Sequence, residues 1–253
     1  MNVYVHLATA NDNSCKATVI PHRHEPKPYL YGLGDAMCYT IFMNVIFDLD
    51  GTLLDTEKLY RRFWPMAARD FGYQLSDEQA LKLRSLGRPY APIQFKEWFG
   101  EEFDYKKVRE RRKKYVSEHI AKHGIELRPG VIETLDYLTD KDITIAIATA
   151  TDLERTTKYL DMVGIRKYFK NIICATMVEH GKPSPEVYQY ACKQLDANPS
   201  DCIAVEDAPN GVKSAYAAGL KVVFIPDQSP SDSEIKPMIY KELKILTELK
   251  DIV

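Results

Sequence analysis

Long apolar runs are missing from this 253-residue chain: none approaches the ~20 residues needed to cross a bilayer, which excludes a helical membrane span. The first residues lack the basic-then-apolar order of a secretion signal, so a cytoplasmic setting is the expectation. Cysteine is sparse and unpaired in pattern. The five are Cys15, Cys38, Cys174, Cys192 and Cys202; no two form a CxxC, and the count is odd. That excludes a disulfide framework and points to a reducing compartment. A large charge of one sign is also missing. The formal net charge of −2 gives no reason to expect a nucleic acid or a membrane surface as partner.

What is present is the material of a soluble globular protein, 45% hydrophobic and 28% charged, enough for one large domain or two smaller ones. The charge is uneven. Residues 58–128 hold 17 Lys and Arg against 10 Asp and Glu, a net of +7, so the remainder carries −9. Much of that excess lies in "RERRKK" (109–114), read as a solvated helix face.

Residues 1–42 differ from the rest. "NDNSCKATVIPHRHEPKPYLYGLGD" has no sustained period and several breakers. The segment is expected to be disordered or loosely packed, with a natural translation start at Met43, and His22-x-His24 lacks the further ligands that a metal site needs. From Met43 onward, short β-branched runs alternate with helical patterns. The runs are "NVIF" (44–47), "ITIAIAT" (143–149), "NIIC" (171–174), "CIAV" (202–205) and "KVVFI" (221–225). Continuous apolar runs of this length suit strands buried on both faces of a parallel sheet. Helices are expected over 151–164, starting at Thr151 or Asp152 and stopping at Gly164, over 184–196 with Ser184 as N-cap and Pro185 at the first helical position, and over 208–219, closing on Gly219. The expected fold class is α/β, a doubly wound, Rossmann-like parallel sheet formed by 43–57 and 129–253. Residues 58–128 interrupt it with helical patterns near 57–71, 76–86, 89–100 and 104–124 and read as an inserted α-helical domain, with "RPG" (128–130) as the return linker. Within it, "WFGEEF" (98–103) reads as core and turn.

Ligands of open parallel sheets bind beyond the carboxyl ends of the strands. The first predicted strand ends in "VIFDLDGTLLDTE" (45–57), with Asp48 and Asp50 two residues apart; continued strand geometry would point both carboxylates at one place, where a cation or a shared proton must relieve them. Thr149 ends the second, followed by Ala150 and Thr151; Lys182 follows the third in "HGKPSPE"; Glu206 and Asp207 follow the fourth. Asp48, Glu206 and Asp207 are hard oxygen ligands for a divalent cation, most simply Mg²⁺. Lys182 and the Thr149 hydroxyl suit phosphate oxygens. Asp48 then reads as a nucleophile forming an aspartyl-phosphate, and Asp50 as the general acid/base.

These stretches carry a resemblance. "FDLDGTLLDTE", "IAIAT" ending at Thr149, "GKPSPEVY" with Lys182 and "VEDAPNGVKSAYAAG" (205–219) resemble the four motifs of the haloacid dehalogenase superfamily. A helical insert directly after the first motif resembles subfamily I, the α-helical-cap branch of phosphoglycolate phosphatases, sugar-phosphate phosphatases and β-phosphoglucomutases. The resemblance implies a cap domain, Mg²⁺, an aspartyl-phosphate and a metal contact from the Asp50 backbone carbonyl. It implies a small phosphorylated metabolite as partner; a monomer or weak dimer is expected. The presence of Asp50 favours phosphoryl transfer over carbon–halogen hydrolysis. Against the mutase branch, Tyr60 stands where a histidine is usual, and Gly87-Arg88 in "SLGRPY" only partly matches its cap stretch. Tyr60, Arg84 and Arg88 are the candidate substrate contacts from the cap, with Arg84 and Arg88 suited to a second anionic or hydroxyl-rich end, or else plain helix surface. A Mg²⁺-dependent phosphatase is the first reading. A sugar phosphomutase and a non-catalytic phospho-acceptor module remain as alternatives.

Overall fold

The structure is a computed structural model that describes the backbone of residues 2–7 and 16–21 and all of 44–253. The chain divides into two units, Met1–Ile41 and Phe42–Val253. In the first, β1 (Asn2–Leu7) and β2 (Lys16–Pro21) pair antiparallel, Asn2 opposite Pro21 and Leu7 opposite Lys16. The expectation of a segment without sustained structure omits this pair. Its signal is the alternation of Val3, Val5 and Leu7 with Asn2, Tyr4 and His6, which lies outside the breaker-rich stretch. Met43, Cys15, Cys38 and His22-x-His24 lie outside the described residues.

In the second unit, six parallel strands form one sheet in the order β5-β4-β3-β6-β7-β8. They are β3 (Asn44–Phe47), β4 (Thr144–Thr149), β5 (Asn171–Cys174), β6 (Cys202–Glu206), β7 (Lys221–Phe224) and β8 (Lys241–Glu242). Five coincide with the β-branched runs. β8 has two exposed residues and no apolar signal to read.

Period-two alternation sends successive strand residues to two separate cores. Val45, Phe47, Ile145, Ile147, Ile203 and Val205 pack on one face, together with residues of α5 (Val131–Asp140) and α6 (Leu153–Met162). Ile46, Ala146, Ala148 and Ala204 pack on the other, with α7 (Glu186–Gln194) and α8 (Pro209–Ala217). Small residues on this second face let α7 and α8 approach the sheet closely. β3 leads on toward β4 and β6 toward β7, in opposite directions across the sheet, so the topological switch point lies between β3 and β6. No helix among the described residues is long and apolar enough to cross a membrane.

Four helices fill the insert: α1 (Glu57–Arg69), α2 (Asp77–Lys82), α3 (Tyr90–Phe99) and α4 (Tyr105–His123). Their ends carry ordinary stop and start chemistry. Ser76 closes a capping box with Gln79, and the Asp104 side chain accepts from the Lys107 N–H. Aromatic rings hold the block together: Trp64 and Phe95 lie 4.9 Å apart, Phe95 and Phe103 stack at 4.8 Å, and Tyr73 meets Phe103 at 4.7 Å. "WFGEEF" is part of this packing. The chain enters and leaves the block side by side, with Asp55 N–H bonded to Glu126 O and Arg128 N–H to Leu53 O, each at 2.9 Å.

Candidate active site

β3 ends at Phe47, and the Asp48 N–H bonds to Val205 O at 2.9 Å. The strand ladder therefore stops short of Asp50, but the Asp50 charge still adds, after burial, to what raises the Asp48 carboxyl, so the two acids face one site. Asp48 is held by Lys182, whose Nζ donates to Asp48 Oδ1 at 2.5 Å. Asp50 faces three hydroxyls: Thr56 at 2.6 Å and Tyr60 at 3.0 Å donate to its Oδ1, and Thr151 at 2.7 Å to its Oδ2. Sequence reasoning passed over Thr56 and gave Thr151 no chemical role, because their only signal is position, Thr56 inside the first motif and Thr151 two residues past the end of the second.

Lys182 is fully buried and bridges two strand ends, since its Nζ also donates to Glu206 Oε1 at 2.6 Å. The Tyr188 hydroxyl donates to the same Glu206 oxygen at 2.5 Å. Burial alone would depress the lysine, but the Asp48 and Glu206 carboxylates outweigh it and raise it. The Asp48 carboxyl is pushed up to about 8, chiefly by burial and against the pull of Lys182. Burial also lifts Asp207 well above the carboxylate range, and the charges of Asp48, Glu57 and Glu206 add to it. Acid thus outnumbers base in a water-poor site.

A divalent cation answers that excess. Asp48, Glu206 and Asp207 each offer an oxygen, and these three oxygens lie within 4.8 Å of one another. Asp48 Oδ2, Glu206 Oε2 and Asp207 Oδ2 are buried without a hydrogen-bond partner. An all-oxygen set at this spacing fits a hard divalent cation. Bare backbone stands behind the carboxylates: a Cβ on Gly211 would come within 1.9 Å of Glu206 Oε2, and one on Gly51, at φ +94°, within 2.4 Å of Asp207 Oδ2. The Asp50 carboxylate is engaged by the three hydroxyls and stands outside this group, which leaves the expected metal contact of Asp50 to its backbone carbonyl.

Glu57 is a residue the sequence reading quoted but gave no role. It is buried in the first turn of α1, behind Gly51, and burial, then the Asp50 charge, raises it well above the usual carboxylate value. Arg84 balances it and Asp207. Arg84 is therefore not helix surface: it is 4% exposed, donates to Ser229 Oγ at 2.6 Å and to Leu81 O at 3.2 Å, and leaves Nη1 without a partner. Tyr60 is buried as well. Arg88 is exposed, but its backbone is engaged. Gly181 N–H bonds to Arg88 O, and Gly87 N–H to Lys182 O, both at 2.7 Å, tying the insert to the loop that carries Lys182. Thr149 is buried at the end of β4, and its Oγ1 accepts from the Thr151 N–H at 3.0 Å.

Known proteins share this organisation. A phosphorylated carbohydrates phosphatase of Thermotoga maritima is 29% identical over 222 residues, spanning 83% of this chain and 99% of that protein. A beta-phosphoglucomutase of Bacillus subtilis is 28% identical over 192 residues, spanning 74% and 84%. The crystal structure of CbbY from Rhodobacter sphaeroides, in complex with xylulose-(1,5)bisphosphate, superimposes with a TM-score of 0.71 at 26% identity, covering 82% of this chain and 96% of that one. The family model of haloacid dehalogenase-like hydrolases matches residues 45–225, from the second residue of β3 to the residue after β7, and the chain belongs to that family.

Proposed function

We propose that the protein is a Mg²⁺-dependent phosphatase that hydrolyses a small phosphomonoester, of sugar-phosphate type, through an aspartyl-phosphate on Asp48. The observation that carries this reading is the trio of buried carboxylates at the switch point, each with an unpartnered oxygen, joined by a buried lysine. Asp48, Glu206, Asp207 and the Asp50 carbonyl would hold the cation, which when bound would offset the repulsion between carboxylates and an anionic phosphate. An Asp48 oxygen attacks phosphorus and forms the O–P bond as the ester O–P bond breaks. Asp50 gives its proton to the leaving oxygen, then takes one from the water that attacks phosphorus and frees Asp48. Thr56, Tyr60 and Thr151 orient Asp50 through their hydroxyls. Lys182 and Thr149 bind phosphoryl oxygens. Residues 58–128 act as a cap that closes over the substrate, and a cytoplasmic setting agrees with the unbridged Cys192 and Cys202, whose sulfurs are 3.9 Å apart.

A phosphomutase is the second reading. The beta-phosphoglucomutase relative favours it, and the Tyr60 hydroxyl reaches the acid/base carboxylate from the position where that branch usually has histidine. The test is release of phosphate, with Mg²⁺, from β-glucose 1-phosphate, glucose 6-phosphate and phosphoglycolate, with glucose 6-phosphate formation followed in parallel. Free phosphate that vanishes in Asp48→Asn supports the phosphatase. Glucose 6-phosphate without net phosphate release makes it a mutase, and an acyl-phosphate that persists without turnover makes it a phospho-acceptor module.

A further inference from the structure

Each carboxylate of the acidic trio has one oxygen held by a donor and one left bare. Asp48 Oδ1 accepts from Lys182 at 2.5 Å, and Asp207 Oδ1 from the Thr52 hydroxyl at 3.2 Å. Glu206 Oε1 accepts twice, from Lys182 at 2.6 Å and from the Tyr188 hydroxyl at 2.5 Å. The other oxygens, Asp48 Oδ2, Asp207 Oδ2 and Glu206 Oε2, are buried without a hydrogen-bond partner. A carboxylate oxygen has two lone-pair sites, so two donors fill Glu206 Oε1 and leave only Oε2 for a cation.

Tyr188 is the member of this arrangement that the proposed reaction does not use. It stands on α7, fully buried in the second core with Ile46, Ala146 and Ala204. A phenylalanine would fill that space with no hydroxyl to satisfy. The tyrosine instead spans to the end of β6, where its hydroxyl meets Glu206, and its ring centre lies 5.2 Å from the Lys182 ammonium. The Glu206 carboxylate is backed by bare backbone as well, since a Cβ on Gly211 would come within 2.3 Å of Oε1. Thr52 is the smaller counterpart, a buried hydroxyl on the turn after Asp50 that engages Asp207 alone. The number of oxygens on offer matters because divalent cations differ. Mg²⁺ demands near-octahedral geometry with short bonds, whereas Ca²⁺ takes more ligands at longer range and accepts both oxygens of one carboxylate.

We infer that Tyr188, seconded by Thr52, is a positioning residue that confines its carboxylate to a single oxygen for the cation, and that this makes the site favour Mg²⁺ over Ca²⁺. The inference rests on the metal site of the phosphatase reading, not on its chemical steps. With the Tyr188 hydroxyl removed, Glu206 Oε1 keeps Lys182 alone and regains a lone pair, so the carboxylate can offer both oxygens. A large cation gains from the second oxygen, and a small octahedral one does not. The freed carboxylate can also turn, which loosens the cation with the stricter geometry more.

The test titrates the metal-free full chain with Mg²⁺ and with Ca²⁺, without substrate, by calorimetry and by the rise in melting temperature. The wild type is expected to bind Mg²⁺ more tightly than Ca²⁺. Tyr188→Phe, which keeps the ring beside Lys182, should shrink that preference by about tenfold, and Thr52→Val should shift it less in the same direction. A role in packing alone would lower the metal-free melting temperature and leave the ratio of the two affinities unchanged; that result overturns the inference, as does a wild type without preference. Should Tyr188→Phe not fold, the ratio in Thr52→Val decides. Phosphate release with Mg²⁺ is followed beside the titrations. Its absence from every phosphomonoester tried, with the ratio shifting as expected, overturns the phosphatase reading and supports the positioning role, whereas no binding of Mg²⁺ overturns the metal site and the inference together.

Discussion

Asp48 combines full burial, a salt bridge to Lys182 and an unpartnered second oxygen. Those are the attributes of a group kept for a reaction rather than for stability. Asp48→Asn should lower phosphate release by several orders of magnitude while the thermal transition stays within a few degrees, since the amide is isosteric and relieves one of several crowded acids; measurable turnover would remove Asp48 as nucleophile. Tyr60→Phe takes one of three hydroxyls from Asp50 and leaves Thr56 and Thr151 in place. A lost hydrogen bond to a charged group predicts a fall of about tenfold in kcat with little change in KM, read from steady-state kinetics. A change confined to KM would make Tyr60 a substrate contact alone. The chemical identity of these residues was legible in the motifs. Their mutual geometry was not: Thr56, Tyr60 and Thr151 bring three hydroxyls to Asp50 from two separate parts of the chain, and Arg112 is buried because its spacing from Val108 and Val116 outranks the charged run around it.

At the scale of elements, strand ends and helix starts build the site, and two glycines make room for it. Gly211→Ala is informative because alanine is the better helix former, so α8 itself should not suffer. The new Cβ would nonetheless meet the Glu206 carboxylate. The Mg²⁺ concentration for half-maximal activity is expected to rise about tenfold or more, and the metal-free melting temperature to fall, because Glu206 must move against its bonds to Lys182 and Tyr188. An unchanged Mg²⁺ dependence would place Glu206 outside the metal site. Five core strands and all four helices of the insert were readable, because β-branched runs and caps are local signals. α7 starts at Glu186, with Pro185 rather than Ser184 at its N-cap, a shift of one residue set by where the backbone turns helical. α5 and β8 were missed; β8 has only pairing with β7 to define it.

At the scale of the molecule, the site's buried acids tie stability to pH and to metal. Burial raises Asp48, Glu57 and Asp207 in the folded protein. A folded-state pKa above the unfolded one means the stability associated with the protonated form is full below the unfolded value of 3.8 for Asp48, and is lost as pH climbs toward about 8. A divalent cation binds the deprotonated carboxylates and competes with those protons. The rise in melting temperature on replacing EDTA with Mg²⁺ should therefore grow from about pH 5 to about pH 8; a gain independent of pH would contradict the carboxylate site. The insert's core is a separate matter of packing. Phe95 is fully buried among Trp64, Phe99 and Phe103, and Phe95→Ala should cost about 3–5 kcal/mol in urea unfolding.

The amino-acid sequence by itself determined the succession of five strands along the chain, the helical nature of residues 58–128 and which chemical groups follow the first four strands of the sheet. These are written in runs of four to seven residues, where propensity, period and capping act locally. Only the tertiary structure decided which groups meet. Lys182 reaches Asp48 across 134 positions of chain and Thr151 reaches Asp50 across 101, distances over which no local pattern carries information. The same holds for Arg112, whose aromatic neighbours Tyr60 and Trp64 are set by how α4 packs on α1. A buried cation and a solvated one are spelled with the same letter; burial separates them.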